Sequence, residues 1–102
     1  MNRLITPEFI AQCQAYPLGS QSKSDIPEVV AKFFDSYGSA SWYVIELDPE
    51  QELAFGYVTG LQQDELGYFS LSELASIIHP TLQVPRIEQD AYFSKCRLNE
   101  IR

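Results

Sequence analysis

The fold is decided by residues 41–61, which read SWYVIELDPEQELAFGYVTGL. Two runs rich in β-branched and aromatic residues, 41–48 and 53–61, are separated by the acidic turn 48–52. Pro49 favours that turn because its ring fixes φ and because it has no backbone N–H to donate. Strands joined by so short a connection pair antiparallel, so this stretch predicts a β-hairpin.

The alternation of side chains predicts the register of this hairpin. If residues 49–51 form the loop, Asp48 lies opposite Glu52, and one side of the hairpin is entirely apolar or aromatic. We expect that side to face the core, because a slip of one residue would mix the two sides. Its cross-strand pairs are Tyr43 with Tyr57, Ile45 with Phe55, and Leu47 with Leu53. The other side carries Trp42, Val44, Glu46, Asp48, Glu52, Ala54, Gly56 and Val58.

Further strands are predicted on both sides of the hairpin. Residues 28–35 are extended and apolar, and a turn at 36–40 connects them to it. A fourth extended piece covers residues 66–69. Near the end of the chain, Tyr92-Phe93 fits a short fifth strand, and residues 98–101 fit a helical turn.

Two helices begin at recognisable caps. Thr6 is a good N-cap, followed by Pro7 and Glu8 in the first turn, and Pro17 ends this helix. Ser70 followed by Glu73 is a capping box for a second helix that Pro80 stops. These elements predict an α+β fold: an antiparallel sheet of three to five strands, an N-terminal helix and a second helix after the fourth strand.

Length and composition allow one domain over residues 1–102. The chain has 14 acidic and 7 basic residues, giving a formal net charge of −7. This charge disfavours nucleic acid and anionic membrane surfaces as partners. Neither a signal peptide nor a membrane span is recognisable in the sequence, so we expect a cytosolic protein.

The cysteines and the single histidine match no metal-site spacing, and we expect neither a metal nor another cofactor. Cys13 and Cys96 are expected to be free thiols in a reducing cytosol, although in an exported protein they would form the one disulfide available. Lys95 and Arg97 flank Cys96, a setting that lowers the pKa of a thiol. His79 is expected to cap the second helix or to lie on the surface, since no nucleophile motif accompanies it.

The acidic residues suggest a binding surface. No Lys or Arg lies between Lys32 and Arg86, an interval that holds eight acids. An acidic surface can bind a basic partner, although a solvated face that keeps the protein soluble explains the same residues. The binding hypothesis places an aromatic anchor and three carboxylates on one sheet face: Trp42, Glu46, Asp48 and Glu52. Trp42 lies near Gly56 and Gly60, where a ligand, another backbone or a packed segment fits.

The leading hypothesis is therefore a non-enzymatic interaction protein with an unidentified protein partner, and two others stay open. A small hydrolase or ligand-binding protein could use the carboxylates of Glu46, Asp48, Glu88 and Asp90, but no base or nucleophile accompanies them. For Glu88 and Asp90, a salt bridge to nearby Arg86 is the simpler interpretation. The third possibility is a structural subunit of a larger assembly.

Four strings carry a family resemblance: WYVIELD at 42–48, FGYVTG at 55–60, ELGYFSLSEL at 65–74 and IEQDAYF at 87–93. Together they resemble the bacterial family catalogued as domain of unknown function 2958, from the first helix to Phe93. The resemblance implies a short cytosolic protein that is often encoded on plasmids and other mobile elements. It implies no catalytic residue, and it favours an accessory role on mobile DNA.

Overall fold

The computed structural model describes residues 2–102 and has an α+β architecture. The strands are β1 (Glu28–Val29), β2 (Ala31–Asp35), β3 (Ser41–Asp48), β4 (Leu53–Thr59), β5 (Glu65–Ser70), β6 (Ile87–Gln89) and β7 (Cys96–Arg97); the helices are α1 (Pro7–Cys13), α2 (Leu71–Ser76) and a 3₁₀ turn at Leu98–Glu100. Five strands form an antiparallel sheet in the order β5-β4-β3-β2-β6, and β1 pairs with β7. The predicted fold class is confirmed. None of the helices formed by residues 2–102 is long and apolar enough to cross a membrane.

Both predicted helix caps are confirmed. The Thr6 side chain accepts a hydrogen bond from the N–H of Phe9, and Ser70 accepts one from the N–H of Glu73 at 3.2 Å. Both helices end earlier than predicted, at Cys13 and Ser76. Each is therefore only about two turns long and depends on its packing against the sheet for stability.

Replacing Ser70 with alanine should lower the free energy of unfolding by about 1 kcal/mol, because the N–H of Glu73 loses its acceptor. Urea denaturation measures the change. Ser72→Ala is the control: it removes the contact of Ser72 Oγ with Ser70 Oγ at 2.8 Å but leaves the N–H of Glu73 its acceptor. Equal losses in the two variants would show that the cap contributes nothing.

The β3–β4 turn is one residue longer than predicted. Asp48 lies opposite Leu53 rather than Glu52, and Glu52 lies inside the turn with a positive φ of 54°. The reason is a local cap: the Asp48 carboxylate accepts the N–H groups of Glu50 and Gln51 at 3.0 and 3.3 Å. The predicted pairs of Leu53 and Phe55 are therefore wrong by one position.

A β-bulge at Ile45 restores the predicted register beyond it. The ladder shifts between Val44 and Glu46, so that Ile45 has no cross-strand partner. Tyr43 consequently lies opposite Tyr57, as predicted. Because a bulge adds one residue, it reverses the alternation of β3, and Glu46 lies on the same side as Ile45.

The larger core lies on the sheet face that was predicted to point outward. Trp42, Val44 and Ala54 are buried there beneath both helices, so the prediction that the core lies only on the other side of the hairpin is wrong, and Trp42 adopts the packed one of its two alternatives. Phe9 of α1 packs edge-on against Phe33 of β2, with ring centroids 5.1 Å apart. We call this group the helix-side core; its buried members are Leu4, Ile5, Phe9, Cys13, Val30, Ala31, Phe33, Ala40, Trp42, Val44, Leu47, Ala54, Leu71, Leu74 and Ile87.

The opposite face carries a second, smaller core. The C-terminal segment covers this face, which explains why residues on both sides of the hairpin are apolar. We call this group the C-terminal cluster; it buries Val29, Ile45, Tyr57 and Leu98, with Tyr43, Phe55, Phe93, Cys96 and Ile101 partly buried around them. Ile45 is buried, as predicted.

The C-terminal residues differ from their prediction in one strand. The strand on the β2 edge is β6, not Tyr92-Phe93, which follow a turn at Asp90. Phe93 is nevertheless used, because its ring packs on Tyr43 with centroids 6.1 Å apart. The helical turn predicted at residues 98–101 is confirmed.

Candidate functional site

A buried carboxylate lines a cavity on the C-terminal-cluster face of the sheet. Glu46 is only 3% exposed. One carboxylate oxygen accepts the N–H of Gly19 at 2.8 Å, and the other accepts the N–H of Gln21 at 2.7 Å. The bulge places Glu46 under residues 17–27, and the two backbone hydrogen bonds attach that loop to the sheet. This charged side chain therefore has a structural function.

Gln21 strengthens the same attachment. Its side-chain amide donates to the carbonyl oxygens of Glu28 and Ile45, both at 3.0 Å, and its amide oxygen accepts the N–H of Glu28 at 2.7 Å. A glutamine that binds three backbone groups bridges the loop to β1 and β3. The loop thus forms a fixed wall for the cavity beside it.

The cavity between this loop and the sheet has a volume of about 290 Å³. Its wall on the sheet side is mostly apolar, and the Phe55 and Tyr68 rings pack with centroids 5.0 Å apart. We call it the Glu46 cavity; it is lined by Gly19, Gln21, Ser22, Ser24, Asp25, Pro27, Ile45, Glu46, Phe55, Leu66, Tyr68, Leu98 and Arg102. It combines an aromatic wall with a small number of polar groups, as binding cavities do.

A polar cluster holds the C-terminal segment beside this cavity. Glu28 accepts a hydrogen bond from the hydroxyl of Tyr16 and pairs with Lys95 at 3.0 Å and with Arg97 at 3.8 Å. The Tyr16 hydrogen bond, followed by the one from Lys95, lowers the pKa of Glu28. Hydrogen bonds to Tyr16 and Glu28 raise the pKa of Lys95. Both basic residues that flank Cys96 are thereby directed towards Glu28.

Cys96 consequently does not have the environment predicted for it. Its pKa is raised, first by partial burial and second by the nearby carboxylate of Glu100. Cys13 is buried in the helix-side core, and burial raises the pKa of its thiol to about 12. Both cysteines are free and lie on opposite faces of the sheet.

The four residues of the predicted binding face are not brought together. Trp42 is 7% exposed in the helix-side core, and Glu46 is buried on the opposite face. Asp48 caps the β3–β4 turn, and Glu52 accepts a hydrogen bond from the Asn2 side chain. The expected exposed face with an aromatic anchor and an acidic rim is therefore replaced by separate local contacts.

The side chain of Trp42 is slightly exposed to solvent. It lies at the base of a second cavity of about 510 Å³, on the helix side of the sheet. We call this the Trp42 cavity; it is lined by Trp42, Val58, Leu61, Gln62, Gln63, Glu65, Gly67, Tyr68 and Phe69. The suggestion that a glycine near Trp42 admits another backbone fits Gly56, where a Cβ atom would come within 1.9 Å of the Tyr43 carbonyl oxygen.

The carboxylates considered for hydrolysis are also separated. Of the four, only Glu46 lines the Glu46 cavity. Glu88 is exposed on β6 at the far edge of the sheet, and Asp90 accepts the N–H of Tyr92. In the part of the chain that the structure describes, no three His, Cys, Asp or Glu side chains form a group that could hold a metal ion.

Arg86 pairs with Asp35 rather than with Glu88 or Asp90, so the predicted salt bridge is wrong in its partner. Two guanidinium nitrogens donate to the two Asp35 oxygens at 2.7 and 3.1 Å. Antiparallel pairing of β2 with β6 places Asp35 opposite Ile87, next to Arg86. Nearby, the ring nitrogen Nδ1 of His79 accepts the N–H groups of Thr81 and Leu82, in a turn beyond α2 rather than at its cap.

Stability should depend on pH through Asp35. Partial burial acts to raise the pKa of Asp35, but the hydrogen bonds from Arg86 and from the N–H of Tyr37 outweigh it, and the pKa lies below its usual value. As the pH falls, Asp35 is therefore protonated at a higher pH in the unfolded state than in the folded state. Its contribution to the free energy of unfolding is complete above about pH 5 and is lost as the pH falls through the lowered pKa. Asp35→Asn should make the unfolding free energy less dependent on pH in this acidic range.

Urea denaturation at several acidic pH values measures this slope. Glu88→Gln is the control, because Glu88 is an exposed carboxylate without a cation within 4.0 Å in residues 2–102. A slope that changes equally in both variants would contradict the assignment to the Asp35–Arg86 pair.

The sequence did not predict that the loop at residues 17–27 and the rings of Phe55 and Tyr68 form the walls of one cavity. Gln21, Leu66 and Tyr68 gave no signal, because a lone glutamine in a serine-rich loop and two apolar residues in a short strand are ordinary. The candidate surface of this small α+β protein is therefore the β5 edge of an antiparallel sheet, with a cavity on each face.

The family comparison covers nearly the whole chain. The family model described as protein of unknown function (DUF2958) matches residues 4–99. The chain belongs to this family, as its sequence strings indicated. Comparison with the curated proteins and with the solved structures found no match.

Proposed function

We propose that the protein is a non-enzymatic accessory protein that binds another protein through β5, an edge strand of its main sheet. The proposal includes a cytosolic location and a gene carried on a plasmid or another mobile element, as the family resemblance implies. A non-enzymatic function is supported by the carboxylates that a hydrolase would need, because Glu46, Asp48 and Asp90 each accept backbone N–H groups instead. A surface with exposed aromatic residues and no converging reactive groups fits recognition better than catalysis.

One observation carries the proposal: large apolar side chains remain exposed where the two cavities meet. Tyr68 is 66% exposed and Leu66 is 40% exposed, although both belong to a strand of the main sheet. Leu61, in the loop before β5, is also exposed. Aromatic residues next to cavities are typical anchors of protein interfaces, because they bury much area in one contact.

The charge around this edge favours a basic partner. Asp64 and Glu65 stand at the start of β5, and Glu73 stands just beyond its end. Among residues 2–102, none of the three lies within salt-bridge distance of Lys, Arg or His. Unpaired surface charge of one sign accelerates the encounter with a partner of the opposite sign.

The test is capture from the native host followed by binding of the purified partner. The captured protein should bind wild type and should bind Tyr68→Ser much more weakly, because loss of an aromatic anchor costs ~2 kcal/mol or more. Leu82→Ser is the control, since Leu82 is also an exposed apolar residue, 56% against 66% for Tyr68, and lines neither cavity. If Leu82→Ser weakened binding of the partner and Tyr68→Ser did not, the proposed surface would be wrong.

The association rate should also fall as salt is added. The Debye length shrinks from ~10 Å at 0.1 M to ~3 Å at 1 M, so attraction between exposed charges is largely removed. Reversing Glu65 to lysine should slow association at low salt while leaving the melting temperature nearly unchanged, because its side chain is exposed; Asp64 is left in place, since it accepts the N–H of Gly60 at 3.2 Å. Stopped-flow measurement of a rate that is independent of salt would exclude electrostatic attraction.

A further inference from the structure

The two edges of the main sheet differ in their capacity to accept another strand. β6 has three residues, whereas β5 has six and pairs with β4 through six consecutive residue pairs without a register shift. β5 contains neither proline nor lysine, the residues that commonly block pairing at an edge. β5 is therefore the open edge of this sheet.

The hydrogen-bond pattern shows which backbone groups of β5 are free to pair. The N–H of Leu71 donates to the Glu52 carbonyl at 2.8 Å, directly after the pair formed by Ser70 and Leu53. Because alternate residues of an antiparallel strand face the neighbour, residues 65, 67 and 69 are directed at β4. Leu66 and Tyr68 therefore direct their N–H and C=O groups away from the sheet.

The cavities lie on the two faces beside these free groups. Leu66 lines the Glu46 cavity, and Glu65, Gly67 and Phe69 line the Trp42 cavity on the other face, while Tyr68 contributes to both. The space above Gly67 is open, since a Cβ atom there would meet nothing within 4 Å. A strand added to β5 would place successive side chains alternately over the two cavities.

We propose that β5 is a docking strand, to which an extended segment of the partner adds as a sixth strand of the sheet. The inference rests on the proposed function and specifies how the partner binds. The segment carries apolar side chains at its centre, opposite Leu66 and Tyr68, and Lys or Arg near its ends. Main-chain hydrogen bonds supply the general affinity, and the two cavities select the side chains.

Charge selects a foreign segment over a second copy of this chain. The edge bears Asp64 and Glu65 at one end and Glu73 beyond the other, and the whole chain has a net charge of −7. Two copies joined through β5 would bring these like charges together, which opposes pairing. A basic segment is attracted by the same residues.

The experiment uses short linear peptides selected from a fully random displayed library against the wild-type protein. Selected peptides should alternate apolar residues and be enriched in Lys and Arg near their ends. On binding, the amide hydrogens of Leu66 and Tyr68 should exchange with solvent more slowly. This measurement requires no mutation and is independent of any effect on folding.

Two variants at one position separate the backbone from the side chain. Tyr68→Ala removes the ring and keeps the N–H, whereas Tyr68→Pro removes both, and proline is tolerated where the N–H points away from the sheet. We expect Tyr68→Pro to bind the peptides at least about tenfold more weakly than Tyr68→Ala. Thermal denaturation checks that both variants fold.

Several results would overturn the inference: no selected peptides, unchanged exchange at Leu66 and Tyr68, or equal affinities of the two variants. A wild-type dimer that Tyr68→Pro dissociates would also overturn it, because the occupant would then be a second copy. If the purified protein partner needs the Tyr68 ring but binds both variants equally, docking by strand addition fails while the proposed function stands. If the partner is indifferent to every Tyr68 variant, the proposed function fails as well.

Discussion

Replacing Ile45 with aspartate should lower the free energy of unfolding by at least about 3 kcal/mol. Ile45 is 1% exposed and lies in the C-terminal cluster with Val29, Tyr57 and Leu98. A carboxylate there loses its water and gains no partner. A domain of this size has only ~5–15 kcal/mol of stability, so the melting temperature should fall by at least about 10 °C.

Thermal and urea denaturation, both monitored by circular dichroism, measure this loss of stability. Ile45→Val is the control: it keeps the apolar contact, removes one methylene, and should cost only about 1 kcal/mol. If Ile45→Asp melted like wild type, the bulge would not bury this side chain, and the second core would be incorrect.

Replacing Glu46 with alanine should cost about 2–4 kcal/mol, because two backbone N–H groups at the cavity lose a charged acceptor. The loss should be local as well as global. Hydrogen exchange of the Gly19 and Gln21 amides should accelerate, since their only acceptor among residues 2–102 is this carboxylate. Glu46→Gln should lose less, because its amide oxygen can accept one of the two N–H groups.

Glu50→Ala is the matched control for this prediction. Glu50 is an exposed glutamate in the turn that follows the same strand, and its removal should change stability by less than about 0.5 kcal/mol. Equal stability and equal exchange at Gly19 in the two variants would show that Glu46 does not hold the loop. Reduced peptide affinity of Glu46→Ala would additionally indicate that the loop wall contributes to the cavity.

The structural function of Glu46 explains why the candidate site was only partly predictable. Its place in the acidic interval suggested an exposed binding carboxylate, but its partners are the N–H groups of Gly19 and Gln21, more than 20 residues away in sequence. Nothing near Glu46 in the chain indicates that a serine-rich loop folds over it. The exposure of Tyr68 likewise depends on the position of β5 at the edge of the sheet, which is a property of the sheet order.

Local signals determined the elements of this protein. Thr6 and Ser70 cap their helices as predicted, because a cap depends on residues only three positions apart. The antiparallel hairpin and the pairing of Tyr43 with Tyr57 follow from apolar runs and a short acidic turn. Family membership also follows from the sequence, since the strings at 42–48 and 65–74 lie within the matched residues.

Only the tertiary structure decided that both faces of the hairpin are covered, and which residues lie on each face. Alternation shows that two faces of the hairpin differ, but both faces are covered here, one by the helices and one by the C-terminal segment. The bulge at Ile45 then exchanges the faces within β3, which places Ile45 and Glu46 together and separates Glu46 from Trp42. Burial depends on which distant segments pack on a face, and that is a sum of long-range contacts rather than a local pattern.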